Sequence, residues 1–186
     1  MGRRVIPVVF RPGGVAWCAA AYRGVSRTRE CDVVEIRQAT LSDVPSLVGL
    51  VGQYWAYEGV PGFDPALVSA QLTRPLTESG LGCLWIAAVD GASAGCLLTV
   101  YVFSLEHYGL AAEIDGFFVT AECRNRGIGS ALLRAAESAL TQTGCTSLYL
   151  QLSRANDSAR TFYRQRGYAE RSRYDLLWRP LRRGRC

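Results

Sequence analysis

The stretch Phe117-Phe118-Val119-Thr120-Ala121-Glu122-Cys123-Arg124-Asn125-Arg126-Gly127-Ile128-Gly129-Ser130-Ala131-Leu132-Leu133 decides how this chain is read. An apolar strand runs into a loop with two glycines, and the loop opens a long amphipathic helix. Glycines let the backbone turn so that several N–H groups converge, and the helix start adds its partial positive charge. Arg124 and Arg126 add formal charge. Residues Arg124, Asn125, Arg126, Gly127, Ile128, Gly129 and Ser130 therefore read as a cradle for an anion. The spacing is Arg-x-x-Gly-x-Gly, not the dinucleotide fingerprint: the third glycine position falls on Leu132, and no acid follows at the required distance in a strand-first unit.

Downstream of the cradle, Gly127–Thr143 is periodic, with Leu132, Leu133, Ala136 and Leu140 at helix spacing and Gly144 as its stop. Ser147–Leu152 reads as a strand, Asp157–Arg166 as a helix stopped by Gly167, and Arg173–Trp178 as a last strand. Upstream, Glu113–Val119 is a strand, and Leu84–Val89 with Ala94–Phe103 forms a hairpin around Asp90-Gly91. Val33–Arg37 alternates as a first strand. Thr40 or Ser42 caps a helix over 43–53, an aromatic and acidic loop covers 54–64, and a short helix covers 65–74 and ends near Pro75. This order predicts a mixed α/β fold, a mixed sheet with helices on both faces. The domain is expected over 33–180. An Arg-rich extension outside the core is expected over 1–32, and a basic tail over 181–186.

The chain has 186 residues, 49% of them hydrophobic, which suits one domain. All 21 basic residues are arginine. Without lysine there is no Walker-type phosphate loop and no Schiff-base or lysine-base chemistry. The single histidine, His107, leaves little for histidine metal sites, and none is expected. No apolar run approaches the roughly 18 residues of a membrane span, so no membrane partner is expected. Arg3-Arg4 precedes short apolar stretches, but Arg11-Pro12-Gly13-Gly14 breaks them, so no export signal is expected. A presequence is compositionally open; a non-functional extension, or one from an early start codon, is the preferred reading. The seven cysteines form no C-x-x-C pair and read as small buried hydrophobes in a reducing compartment, with cytoplasmic residence expected.

Charge is unevenly spread. Residues 30–115 carry two Arg against eleven acids, a net of −9; residues 116–178 carry nine Arg against five acids, a net of +4. The first half suits a cationic partner and the second an anion such as a phosphorylated cofactor. Charge counts alone also describe ordinary solvated surfaces.

One strand after the cradle comes Asn156-x-x-Ala159-x-x-Phe162-Tyr163-x-x-x-Gly167-Tyr168. Together with the Arg-x-x-Gly-x-Gly loop, this block resembles the GNAT superfamily of acyl-CoA-dependent N-acyltransferases over about residues 34–178. The resemblance implies that acetyl-CoA is the co-substrate and that the 124–130 loop binds its pyrophosphate. It implies that main-chain groups of the Phe117-Phe118-Val119 segment, those of Phe117 and Val119, pair with the pantetheine arm. It also implies that Asn156 contacts the arm, that Tyr163 is the general acid, and that homodimers are common. The stretch from Asp115 to Tyr163 is similar to diamine and polyamine acetyltransferases.

The chemistry has its own requirements. An ammonium has no lone pair, so the amine must lose a proton before it attacks a thioester. Glu113 and Asp115 are the candidate bases; two residues apart on a strand, they are expected to share one face. Relatives carry an acid pair before the aromatic pair; here the dipeptide is Asp115-Gly116, which leaves Asp115 as the matching acid. The resemblance implies that the substrate sits at residues 101–115 and 54–64, where Tyr57, Glu58, Glu106 and Tyr108, with Asp64 and neighbouring aromatics, suit an organic cation. A small polycationic amine, a polyamine or an aminoglycoside-like molecule, is therefore the expected acceptor. Protein N-termini and amino acids are the alternative acceptors, and a non-catalytic acyl-CoA sensor is an alternative of another class. The acidic centre argues against a nucleic-acid partner.

Overall fold

The computed structural model describes residues 24–27, 33–179 and 181. The chain divides into two compact units between Leu150 and Gln151. The first unit holds a six-stranded sheet in the order β1-β2-β3-β4-β5-β6. Its strands are β1 (Gly24–Arg27), β2 (Val33–Gln38), β3 (Gly82–Val89), β4 (Ala92–Ser104), β5 (Gly109–Val119) and β6 (Leu148–Leu150). Neighbours from β1 to β5 are antiparallel, and β5 with β6 is parallel, so the sheet is mixed as expected. β1 adds four residues of the expected extension to the edge of β2. The rest of residues 1–32, and most of the basic tail, lie outside the described residues.

Helices α1 (Val44–Glu58), α2 (Pro65–Thr77) and α3 (Ile128–Gln142) cover the sheet. Strand alternation sorts the sheet residues. Leu84, Ile86, Cys96 and Phe118 pack with Leu47 and Leu50 of α1 and Leu72 of α2. On the other face, Val34, Ile36, Trp85, Ala87 and Leu97 are buried with Leu132 and Leu133 of α3, which packs on β2 to β5. Burying such side chains fully is worth about 1.5–3 kcal/mol each.

Several boundaries differ from expectation. α1 runs through Glu58, so Tyr54, Trp55 and Tyr57 stand on its last turns rather than in a loop. Nothing breaks that helix before Gly59, which ends it in the left-handed conformation (φ 69°). α2 passes through Pro75 to Thr77, whose hydroxyl bonds Thr73 O at 3.1 Å.

The start of α1 is a buried ionic knot. Arg37 grips both oxygens of Asp43 at 2.6 and 2.7 Å, while the N–H and hydroxyl of Thr40 donate to the same carboxylate at 2.7 and 2.8 Å. The Arg37 guanidinium holds the Asp43 carboxyl well below the usual carboxylate range.

The second unit holds α4 (Asp157–Arg164). The strand expected over 173–178 is absent: alternation alone supplies no neighbouring strand, and Leu176, Leu177 and Trp178 are exposed. Cys96, Cys123 and Cys145 carry free thiols, and burial pushes the Cys96 thiol up to about 12. Cys83 is disulfide-bonded, so the reading of every cysteine as a thiol fails there. No helix among the described residues is long and apolar enough to cross a membrane.

Candidate active site

The site starts from how β5 is paired. β6 accompanies β5 only at Ala112, Glu113 and Ile114. From Asp115 onward that edge of β5 has no strand partner among the described residues. Thr120 N–H donates to Ala94 O across to β4 at 2.9 Å. By antiparallel alternation, Val119 and Phe117 therefore turn their main-chain groups to the open edge.

A bulge produces this arrangement. Leu98 on β4 faces Gly116, but the next residue, Thr99, faces Ile114. Asp115 is the extra residue, and it is exposed. Glu113 stands opposite Val100, two residues along β4 from Leu98, so it keeps the sheet face that carries Leu98 and Phe118, and Asp115 lies near Tyr54 of α1, which packs on that face. Their neighbours differ. Burial, then Glu58 and Asp115, push up the pKa of Tyr54 on α1. Burial, then Glu113, push up that of Tyr149 on β6. Tyr149 in turn stacks on His107, with centroids 6.3 Å apart.

Past Val119 the chain makes a short turn at Ala121–Cys123 and enters the cradle. Asn125 (φ 59°) and Gly127 (φ 80°) are both left-handed and flank Arg126. Such alternation converges N–H groups into an anion-binding concavity. Gly127 is the N-cap of α3 and has no side chain with which to close it. The first helical bond is Ala131 N–H to Gly127 O at 3.0 Å, so the N–H groups of Ile128 and Gly129 point out of the helix start. A pyrophosphate fits this geometry.

Arg124 does something its place in the cradle did not predict. Its Nε donates to Val119 O at 3.0 Å, and its guanidinium lies 4.4 Å from the Tyr57 ring centroid and 5.6 Å from that of Phe118. Tyr54 also packs on Phe118, at 6.1 Å.

Asp64, Glu106 and Tyr108 fall elsewhere. Asp64 caps α2, accepting from the N–H groups of Ala66 and Leu67 at 2.9 and 3.1 Å, so its carboxylate is committed to the helix. The Asp64-Pro65 pair is an N-cap signal that the sequence does carry. Glu106 and Tyr108 sit in the β4–β5 turn, whereas Tyr57 packs at Phe118. Phe118 lies nine steps along β5 from Gly109, on the order of 30 Å at about 3.3 Å each. The structure does not bring Glu106 and Tyr108 together with Tyr57 and Glu58. In the second unit, the side-chain oxygen of Asn156 caps α4 by accepting from Ala159 N–H at 3.0 Å. Tyr163 is buried between Phe162 and Tyr168, both 5.2 Å away between centroids.

Residues 53–168 match the acetyltransferase (GNAT) family. The chain is 30% identical over 141 residues to the uncharacterized N-acetyltransferase YhfO of Bacillus subtilis (strain 168), covering 74% of this chain and 91% of that one. It is 27% identical over 116 residues to aminoglycoside N(6')-acetyltransferase type 1 of Klebsiella aerogenes, covering 61% and 73%. Its fold is similar to that of the aminoglycoside N-acetyltransferase AAC(6')-Iy solved in complex with CoA, with a TM-score of 0.69 at 21% identity over 81% of this chain and 97% of that one. The chain belongs to the acetyltransferase (GNAT) family. It is an acyltransferase, and acetyl-CoA is the acyl donor of that family.

Proposed function

We propose that this enzyme moves the acetyl group of acetyl-CoA to a primary amine of a small polycationic molecule, a polyamine or an aminoglycoside-like compound. One observation carries the donor half: the open edge of β5, from Phe117 to Val119, leads into the uncapped start of α3. Main-chain groups of Phe117 and Val119 hold the amide-bearing arm, and the 124–130 loop holds the pyrophosphate. Bound there, acetyl-CoA supplies an activated thioester carbonyl.

The residues of the chain manage protons. Asp115, directly or through a water, takes the proton that the ammonium must lose, and Glu113 is the second acid in reach of that role. The amine nitrogen bonds the acetyl carbon as the carbon–sulfur bond breaks, the Tyr163 hydroxyl gives a proton to the departing sulfur, and the second proton that the nitrogen sheds on becoming an amide restores Tyr163. Tyr163→Phe should lower kcat by about 10²–10⁴-fold with little change in KM for acetyl-CoA. A value within about twofold of wild type would leave Tyr163 a packing role.

The acceptor half rests on Tyr54, half-buried beside the negative fields of Glu58 and Asp115. An aromatic face with acids beside it suits an organic cation. The Klebsiella aerogenes relative, an aminoglycoside acetyltransferase by name, supports the same class. The test is thiol release with spermidine, an aminoglycoside, free amino acids and short peptides. Polycations should be preferred, with kcat/KM falling as salt rises. Preference for peptides or acidic amino acids without a salt effect would overturn the acceptor half.

A further inference from the structure

We propose that Tyr57 is a positioning residue for the donor, acting through Arg124, rather than part of the amine subsite. This rests on the proposed function above. Arg124 is the first residue of the cradle, yet its side chain turns back from it. It joins three elements: the guanidinium on the Tyr57 ring of α1 at 4.4 Å, the Nε on the Val119 carbonyl of β5 at 3.0 Å, and its own backbone at the start of the loop. Phe118 lines the same seat at 5.6 Å. Among the described residues Arg124 has no carboxylate partner, so the aromatic face is what receives its charge. A carbonyl oxygen has two lone pairs, so Val119 O can accept from Arg124 and still face an amide on the open edge.

The consequence is a staple. Cradle geometry depends on the left-handed Asn125 and Gly127, and the loop they form is fixed at its first residue by Arg124. A loop held in its binding shape loses less freedom when an anion arrives. Tyr57 keeps Arg124 in place with its ring alone. At 58% exposed it is not a core residue whose loss unfolds the chain.

The test is calorimetric binding of CoA to the full chain, with amine kinetics alongside. Tyr57→Leu should weaken CoA binding about fivefold, and Tyr57→Phe, which keeps the ring, should stay within about 1.5-fold of wild type. Arg124→Ala should weaken it by at least as much, and Tyr57→Leu should add nothing in the Arg124→Ala background. The amine KM should not move in Tyr57→Leu. Multiplying effects in the double variant, a shifted amine KM, or unchanged CoA affinity in Tyr57→Leu would each overturn the staple. Failure of the wild-type chain to bind CoA would instead remove the donor reading itself, and the staple with it.

Discussion

The two ends of β5 are made differently. At the Val119 end the strand carries a bulge, loses its β6 neighbour, buries Phe118 against Tyr54 and Tyr57, and feeds the loop that starts α3. At the Gly109 end it closes a turn whose Phe103, Leu105 and Tyr108 are 77%, 83% and 95% exposed. Both ends hold acids and aromatics, and composition does not tell them apart. What separates them is hydrogen bonding. The near end leaves main-chain groups without a strand partner beside a helix start with no side-chain cap. The far end is laddered to β4 from Ser104 opposite Gly109 inward, and on its other edge Thr146 donates its N–H to Leu110 O at 2.8 Å and its hydroxyl to His107 O at 2.7 Å. A strand edge that no neighbouring strand covers, rather than the count of charged side chains, marks the place where a ligand fits.

The contrast can be broken hardest at the cradle. Gly129→Glu places a side chain and a negative charge where the pyrophosphate is held. CoA binding should fall by more than about 10³-fold, roughly 4 kcal/mol, in calorimetry on folded protein. Unchanged affinity would mean that the near end is not the donor site.

A second effect reaches the near end through α1. Asp43→Asn removes a charge buried at 9% exposure and gripped by Arg37, and it should cost about 2–3 kcal/mol in denaturant unfolding. The folded-state pKa of Asp43 is depressed, so the ionised group stabilises the protein above its unfolded pKa of about 3.9. That contribution is lost as pH falls toward the folded value. The gap between wild type and Asp43→Asn should therefore be constant above about pH 5 and should narrow below about pH 4. A gap that widens in acid would show that the Arg37 pair is not its source.

A third and smaller effect concerns the bulge. Asp115→Asn should lower kcat/KM for polycationic amines by about tenfold, roughly 1.4 kcal/mol, and for monoamines by less, because a second ammonium loses its counter-charge. Equal losses for both would confine Asp115 to proton transfer or structure.

How much of this was legible depended on how local each signal is. The cradle was, because two glycines and a helical period sit in one stretch, and the left-handed Gly127 is where that stretch needs it. The Asp90-Gly91 turn was legible for the same reason, with φ of 49° and 82° at its two residues. The bulge was not: it exists only in the pairing of β4 with β5, and no residue near Asp115 announces it. Tyr57 and Arg124 lie far apart in the chain, and only the packing of α1 on β5 joins them. Reading 54–64 as a loop took aromatic and acidic composition for irregular backbone, although no breaker precedes Gly59. Arg173–Trp178 failed in the opposite way, since alternation describes a strand only where a ladder waits for it.

The smallest effect is expected at the far end, and it tests the contrast most directly. Glu106 and Tyr108 have the chemistry of an amine subsite, and the family resemblance places them in one. The structure sets them on the order of 30 Å of strand from Phe118. Tyr108 is held at φ 56°, a conformation that glycine adopts without strain, so Tyr108→Gly should leave the turn intact. Combined with Glu106→Gln, it should change kcat/KM for a polyamine or an aminoglycoside by no more than about twofold, about 0.4 kcal/mol. Over that distance, beyond a Debye length of about 8 Å at physiological salt, one exposed charge steers a cation weakly. The same double variant measured at low salt should show a slightly larger loss, because screening is weaker there. A tenfold or greater loss at physiological salt would mean that the acceptor contacts the turn itself, and the division of β5 into a chemical end and a bystander end would fall.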